Sequence, residues 1–344
     1  MPLPDLQKDQ VPPDTSEDNV GISYSGGGPL LLIELGIAQA FVDLEIVPIA
    51  IAGVSAGAIA GTAHALDPVT GTGIKAAATA LLTLSDHKLG LTRGEMAVRV
   101  LTALLSMHRL PISLADNGPI QPLIEGVFNE RVGQPRLAVG DFGKDGRARL
   151  FIGGTNVTAG ERFWFPDTVE VAEALLASSA IPGVFPPHAM AIDSVQMLFV
   201  DGAVAQNQPL SKLVIEASCG TLFACAVGYD GERQEAPTDA LDNALKSISI
   251  LSHESSRLEQ GYVELTFKEA GVNGVVRHVH PDGPFPINDF NFTPDMIQSV
   301  MTLACQQTKD YIRDQGWMPP KVAVPAVTPV LVTSGRPRGT PDRG

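Results

Sequence analysis

An α/β fold, a three-layer α/β/α sandwich around a mainly parallel sheet, is predicted by three features of the sequence. Residues 20–66 read strand, helix, strand, helix, an order that packs helices onto parallel strands. Further core strands are expected at 147–153, 162–165, 197–200 and 222–227, with helical patterns between and after them. The 344 residues are 44% hydrophobic and 18% charged, enough apolar material for one sizeable core.

The first strand is Val20-Gly21-Ile22-Ser23-Tyr24, which runs into the loop Ser25-Gly26-Gly27-Gly28. Pro29 opens a helix, where its missing N–H does no harm. Leu30, Ile33, Ile37, Phe41 and Leu44 then recur at spacings of three or four, which marks one helix face. Residues 46–51 form a buried strand, 53–57 a turn and 58–66 a helix of small residues. From 73 to 109 the pattern is helical, with Met96, Val100, Leu104 and Met107 on one face. Asp167 and Glu170 form a capping box for a helix that ends at Ser178, before Pro182, Pro186 and Pro187. Thr293 and Pro294 start the last long helix, with Ile297, Val300, Met301 and Ala304 inward.

The ends are rich in Pro and charge, and the domain is expected to span 20–317 between a disordered tail at 1–19 and a Pro-rich tail at 318–344. A net charge of −14 opposes phosphate backbones and anionic surfaces, so no nucleic-acid partner is expected. Cys219, Cys225 and Cys305 are too few and too oddly spaced for a disulfide framework and read as small buried hydrophobes. The sequence shows neither a signal peptide nor an apolar run of transmembrane length, so a cytoplasmic location is expected, with secretion by a signal-less route left open.

Three short stretches carry chemistry. Gly53-Val54-Ser55-Ala56-Gly57 fits G-x-S-x-G, and its setting between a buried strand and a small-residue helix suits a nucleophile elbow. Gly53 and Gly57 permit the tight turn, and Ser55 stands at a helix N-terminus that favours developing negative charge. A plain strand-to-helix turn capped by Ser55 is the rival reading. Gly26, Gly27 and Gly28 expose several backbone N–H groups at one spot, as an oxyanion hole requires. The loop is no dinucleotide fingerprint, because Leu31 stands where a third glycine would be, and no Walker lysine follows. Asp201-Gly202-Ala203 places an acid at the end of a Phe199-Val200 strand, where a turn aspartate is the plainer alternative.

Together these stretches resemble the patatin-like phospholipase family over residues 20–316. The glycine loop matches the family's oxyanion loop, residues 53–58 its nucleophile motif, and Asp201-Gly202-Ala203 its D-G-[GA] proton-acceptor motif. Residues 155–160, 177–187 and 207–209 also look like the family. The resemblance implies a Ser55–Asp201 dyad without histidine, backbone donors at Gly26–Gly28, and no metal or cofactor. It implies ester hydrolysis in (lyso)phospholipids or related lipids, with peripheral membrane contact and an undetermined oligomeric state. Leu30 and Leu31 depart from the family, which carries a basic residue and a glycine there; a catalytically silent lipid- or protein-binding relative is therefore the alternative.

An α/β-hydrolase triad of Ser55, Asp201 and one of His253, His278 or His280 follows a permitted chain order, but only one strand precedes Ser55. His278 and His280 alternate on a strand and so share a face, taken as exposed, and His253 is taken as a solvated helix residue. The apolar stretch 101–110 is either a core helix or an interfacial helix beside the acyl site.

Overall fold

A computed structural model describes residues 7–92, 95, 113, 115–232, 236–238, 240–282, 285 and 290–317. The expectations for 96–112, including the helix face at Met96–Met107 and the apolar stretch 101–110, lie outside these residues, as does the C-terminal tail. Residues 7–19, expected in a disordered tail, hold a 3-10 turn at Lys8–Gln10 and the first residues of β1 (Ser16–Tyr24).

The chain forms one mixed sheet flanked by helices. Its other strands are β2 (Ala50–Val54), β3 (Arg149–Asn156), β4 (Glu161–Trp164), β5 (His188–Ile192), β6 (Val195–Val200), β7 (Cys219–Cys225) and β8 (Val275–Val279). The order is β5-β6-β3-β2-β1-β7-β8, with β4 paired to β3. From β3 to β8 the pairings are parallel, whereas β4, β5 and β6 join antiparallel at one end. The registers Tyr24 with Gly53, Tyr24 with Cys225, and Val54 with Gly153 bring the C-terminal ends of β1, β2 and β7 level.

Strand period sorts the core into two layers. Ile22, Tyr24, Ile51, Ile152 and Phe223 point to one face, while Ala50, Ala52, Phe151, Leu222 and Ala224 point to the other. Against the first face pack α1 (Leu31–Asp43), α2 (Ala56–Leu66), α3 (Thr72–Leu81), α5 (Ile120–Val132), α6 (Val171–Ser178) and α9 (Pro294–Asp314). A short α4 spans Asp86–Leu89. Against the second face pack α7 (Leu210–Ala217) and α8 (Ala240–Ala270).

The structure amends several expected elements. β2 begins at Ala50, four residues later than expected; Pro48 has no N–H for a ladder, and Ile46 is buried in the preceding loop instead. α1 is buried on nearly every side, because α9 covers what would otherwise be its solvent face; a methyl on Gly36 would lie 2.7 Å from Ala304 Cβ. The Asp167/Glu170 capping box does not form. Residues 167–171 instead bond the backbone at 137–140, with Val171 N donating to Leu137 O at 2.8 Å and Gly140 N to Asp167 O at 3.0 Å. The last helix starts as expected, with Thr293 Oγ1 accepting from Met296 N. All three cysteines are free and buried.

Candidate functional site

β2 ends at Val54, and the chain turns at once into α2 through Ser55, which has φ 54° and ψ −130°. A non-glycine residue in this region costs on the order of 1–3 kcal/mol and persists only where its surroundings hold it. Two glycines make the turn possible by close approach. A methyl on Gly53 would lie 2.4 Å from Gly57 O, and one on Gly57 would lie 2.2 Å from Ser25 O. Tyr24 Oη and His64 Nδ1, 2.9 Å apart and buried, tie the far end of α2 to β1; burial pushes His64 down to about 3, so it is the neutral partner.

Asp201 arrives from the opposite direction. β6 runs antiparallel to β3, with Val200 beside Thr155, so its last residue delivers Asp201 to the level of Ser55. Ser55 Oγ donates to Asp201 Oδ2 at 2.5 Å, and the two residues are 3% and 4% exposed. The other carboxylate oxygen, Oδ1, accepts from Ala203 N at 2.9 Å, in the 3-10 turn Gly202–Val204. Burial pushes Asp201 up to about 6, against the opposing pull of the Ser55 hydroxyl and the Ala203 amide. A carboxylate poised there is ionised at neutral pH yet more basic than an ordinary one, which suits proton abstraction.

The glycine loop closes over this pair. A methyl on Gly26 would lie 3.1 Å from Ser55 Cβ and 3.0 Å from Ala203 Cβ. Of the three amides expected as donors, that of Gly26 already donates to Asn207 Oδ1 at 2.9 Å. Among the described residues nothing accepts from the amides of Gly27 and Gly28, and both glycines line the same cleft as Ser55 and Asp201.

Polar struts that the sequence did not assign hold the pair in place. Ser178 Oγ accepts from Ser55 N at 2.8 Å and donates to Gly153 O at 2.6 Å. Thr155 Oγ1 donates to the Asp201 carbonyl at 2.8 Å and accepts from Ala205 N at 3.1 Å. Asn207 Nδ2 donates to Ser256 Oγ at 3.1 Å, linking the loop to α8. Each strut lies in a stretch singled out by resemblance (155–160, 177–187 and 207–209), so position was legible but role was not.

No histidine hydrogen-bonds Ser55 or Asp201 among the described residues. His253 lines the same cleft but is half-buried rather than solvated, with its Nδ1 3.8 Å from Asp230 Oδ1. His278 and His280 do share a face, their rings stacked at 6.2 Å and both facing Asp230 at 3.7 and 3.9 Å, with the His278 side chain still 36% exposed and His280 largely covered. Among the described residues no group of His, Cys, Asp and Glu is arranged to hold a metal ion.

Ser55 stands where two cavities meet. One is a cleft lined by the glycine loop, Asp201, Asn207, Tyr229, Ser252 and His253. It opens between β1 and β7, whose following helices α1 and α8 lie on opposite faces of the sheet, as expected for a ligand site at a topological switch point. The other is an apolar tunnel between α2, α3, α5 and α6. Among the described residues its polar lining besides Ser55 is Thr62 and Ser179, whose hydroxyls donate back to Ala58 O and Leu175 O.

A family model described as patatin-like phospholipase matches residues 22–214, ending short of the span over which the motifs suggested a resemblance. No curated protein matches the chain. The crystal structure of VipD from Legionella pneumophila is similar over 87% of this chain and 67% of that chain, at 14% identity and a TM-score of 0.43. The type III effector protein ExoU is similar over 86% of this chain and 53% of that chain, at 16% identity and a TM-score of 0.36, so the chain spans about half of ExoU. No helix among the described residues is long and apolar enough to cross a membrane.

Proposed function

The chain belongs to the patatin-like phospholipase family, which supports lipid hydrolase activity in the broad sense, and from that premise we propose that it cleaves carboxylic esters of (lyso)phospholipids or related lipids through Ser55 and Asp201. The observation that carries this reading is the buried 2.5 Å hydrogen bond from Ser55 Oγ to Asp201 Oδ2.

Asp201 takes the Ser55 proton as Oγ attacks the ester carbonyl. The amides of Gly27 and Gly28 receive the oxyanion, while Gly26, held by Asn207, anchors their loop. The protonated Asp201 then returns its proton to the departing alcohol. Water, deprotonated by the same carboxylate, releases the acyl group and regenerates Ser55. An amphipathic ester fits the two cavities, with its acyl chain in the apolar tunnel and its polar part in the cleft. The missing cation at Leu30 takes nothing from the backbone donors. A silent binding relative would need the tunnel but would have no use for a strained, carboxylate-bonded serine.

Covalent labelling with a fluorophosphonate tests the reading. Wild type is expected to label, and both Ser55→Ala and Asp201→Asn to lose labelling. Labelling that survives in Ser55→Ala would place the nucleophile elsewhere, and a folded wild type that does not label would favour the binding relative.

A further inference from the structure

The tunnel has a readable depth. It is lined along the whole of α2, from Ala56 beside Ser55 to Leu66 at the helix end. Those eleven residues, ten helical steps apart end to end, span about 15 Å at the helical rise of ~1.5 Å per residue.

Two other walls give the direction and a second length. Ala115 N bonds to Val184 O, and Val184 lines the outer cleft, so α5 begins near the mouth and descends from Ile120 to Phe128, about 12 Å lower. α3 runs the other way. Its start packs on the end of α2, where a methyl on Gly73 would lie 2.3 Å from Ala63 O, and Leu81 and Leu84 then lie toward the mouth. Leu66 and Phe128 therefore stand at the deep end, and Ala77 about midway.

Resting on the reading of Ser55 as the acylated residue, we infer that the tunnel selects one linear acyl chain of medium length, with Leu66 and Phe128 setting its limit and Ala77 its bore. A carbon–carbon bond of about 1.52 Å at tetrahedral angles advances an extended chain by about 1.25 Å, so 12–15 Å accepts about ten to twelve carbons beyond the carbonyl. Among the described residues the walls leave no unpaired side-chain donor or acceptor for the chain to cover: Thr62 and Ser179 are satisfied by their own helices. Each methylene that enters thus gains its full burial until the deep end is reached, and further carbons must be left in the cleft or distort the walls.

The test is kcat/KM for a series of p-nitrophenyl esters presented in the same fixed detergent, with acyl chains of about four to about eighteen carbons. Wild type should gain about fourfold per methylene, the ratio that ~0.8 kcal/mol of burial gives, up to a maximum near eleven to thirteen carbons. Ala77→Phe should move the maximum below about eight carbons, and Leu66→Ala should move it upward by about two. A wild-type maximum at the shortest or longest chains, or one that Ala77→Phe leaves in place, overturns the inference. If Leu66→Ala does not fold, Ala77→Phe decides alone. Should no ester be hydrolysed, displacement of a fluorescent fatty acid from Ser55→Ala by the same chain series separates the two readings. Affinity that levels off near twelve carbons keeps the tunnel while the dyad fails, and affinity independent of length sinks the tunnel.

Discussion

Burial of Asp201 bears on stability and, under the proposed dyad, on activity as well. Its folded-state pKa of about 6 exceeds the ordinary carboxylate value of about 3.9, so the folded protein holds this proton more tightly than the unfolded chain. The stabilisation it gives is complete below about pH 4 and is lost as pH rises through about 6. On the proposed dyad, activity runs the opposite way, because only the ionised carboxylate can accept the Ser55 proton. On a soluble ester, kcat/KM is expected to climb through about pH 6. The stability of Asp201→Asn relative to wild type should improve by up to about 3 kcal/mol between about pH 4 and pH 7, measured by denaturant unfolding. A pH-independent difference would mean that Asp201 is not held as a costly buried charge. Ser55 carries a matching cost in its backbone, and both costs are offset by the struts from Ser178 and Thr155.

At the scale of elements, the glycine loop is held from the far side of the sheet. Asn207 joins Gly26 to Ser256 on α8, and Gln206 joins the same turn to Glu259 one helical turn further on, at 2.9 Å. Asn207→Ala frees the Gly26 amide and loosens the loop without touching Ser55 or Asp201. A fall in kcat of roughly tenfold is expected with KM little changed, smaller than the ~100-fold or more that follows loss of an oxyanion donor itself. Steady-state kinetics check this, and a change confined to KM would assign Asn207 to substrate binding instead. The motif stretch 207–209 was conspicuous in the sequence, but Asn207 lies 181 residues from Gly26. Spacing along the chain says nothing about such a bond; the sheet order, with β7 beside β1, brings the two together. The failed capping box has the same origin, since tertiary pairing of 167–171 with 137–140 displaced a local bond that the helix start would otherwise have made.

For the whole molecule, the net charge of −14 would govern the approach to a lipid surface that the proposed function requires. An acidic protein is repelled by an acidic bilayer over about a Debye length, ~8–10 Å at physiological salt. Hydrolysis of a neutral lipid in zwitterionic vesicles is expected to outpace hydrolysis of the same lipid in vesicles doped with an anionic lipid. The gap should narrow as salt is raised, because screening acts on the repulsion and leaves the site untouched. Vesicle assays at low and high salt measure it, and a faster rate on anionic vesicles would reveal a local basic patch that outweighs the global field.

The sequence by itself determined the fold class, the elbow at Ser55, the glycine loop and the acid at Asp201. Each is a local matter: strand and helix periods, a turn that only glycines at 53 and 57 allow, and small residues where backbones approach. Tertiary structure alone decided which groups meet. It brought Asp201 to Ser55 across 146 residues, bonded the Gly26 amide to Asn207, turned the three histidines toward Asp230 and opened an apolar tunnel at Ser55. The reason is that hydrogen-bond partners and cavity walls are set by strand order and register, and those emerge only when the sheet is assembled and both of its faces are covered.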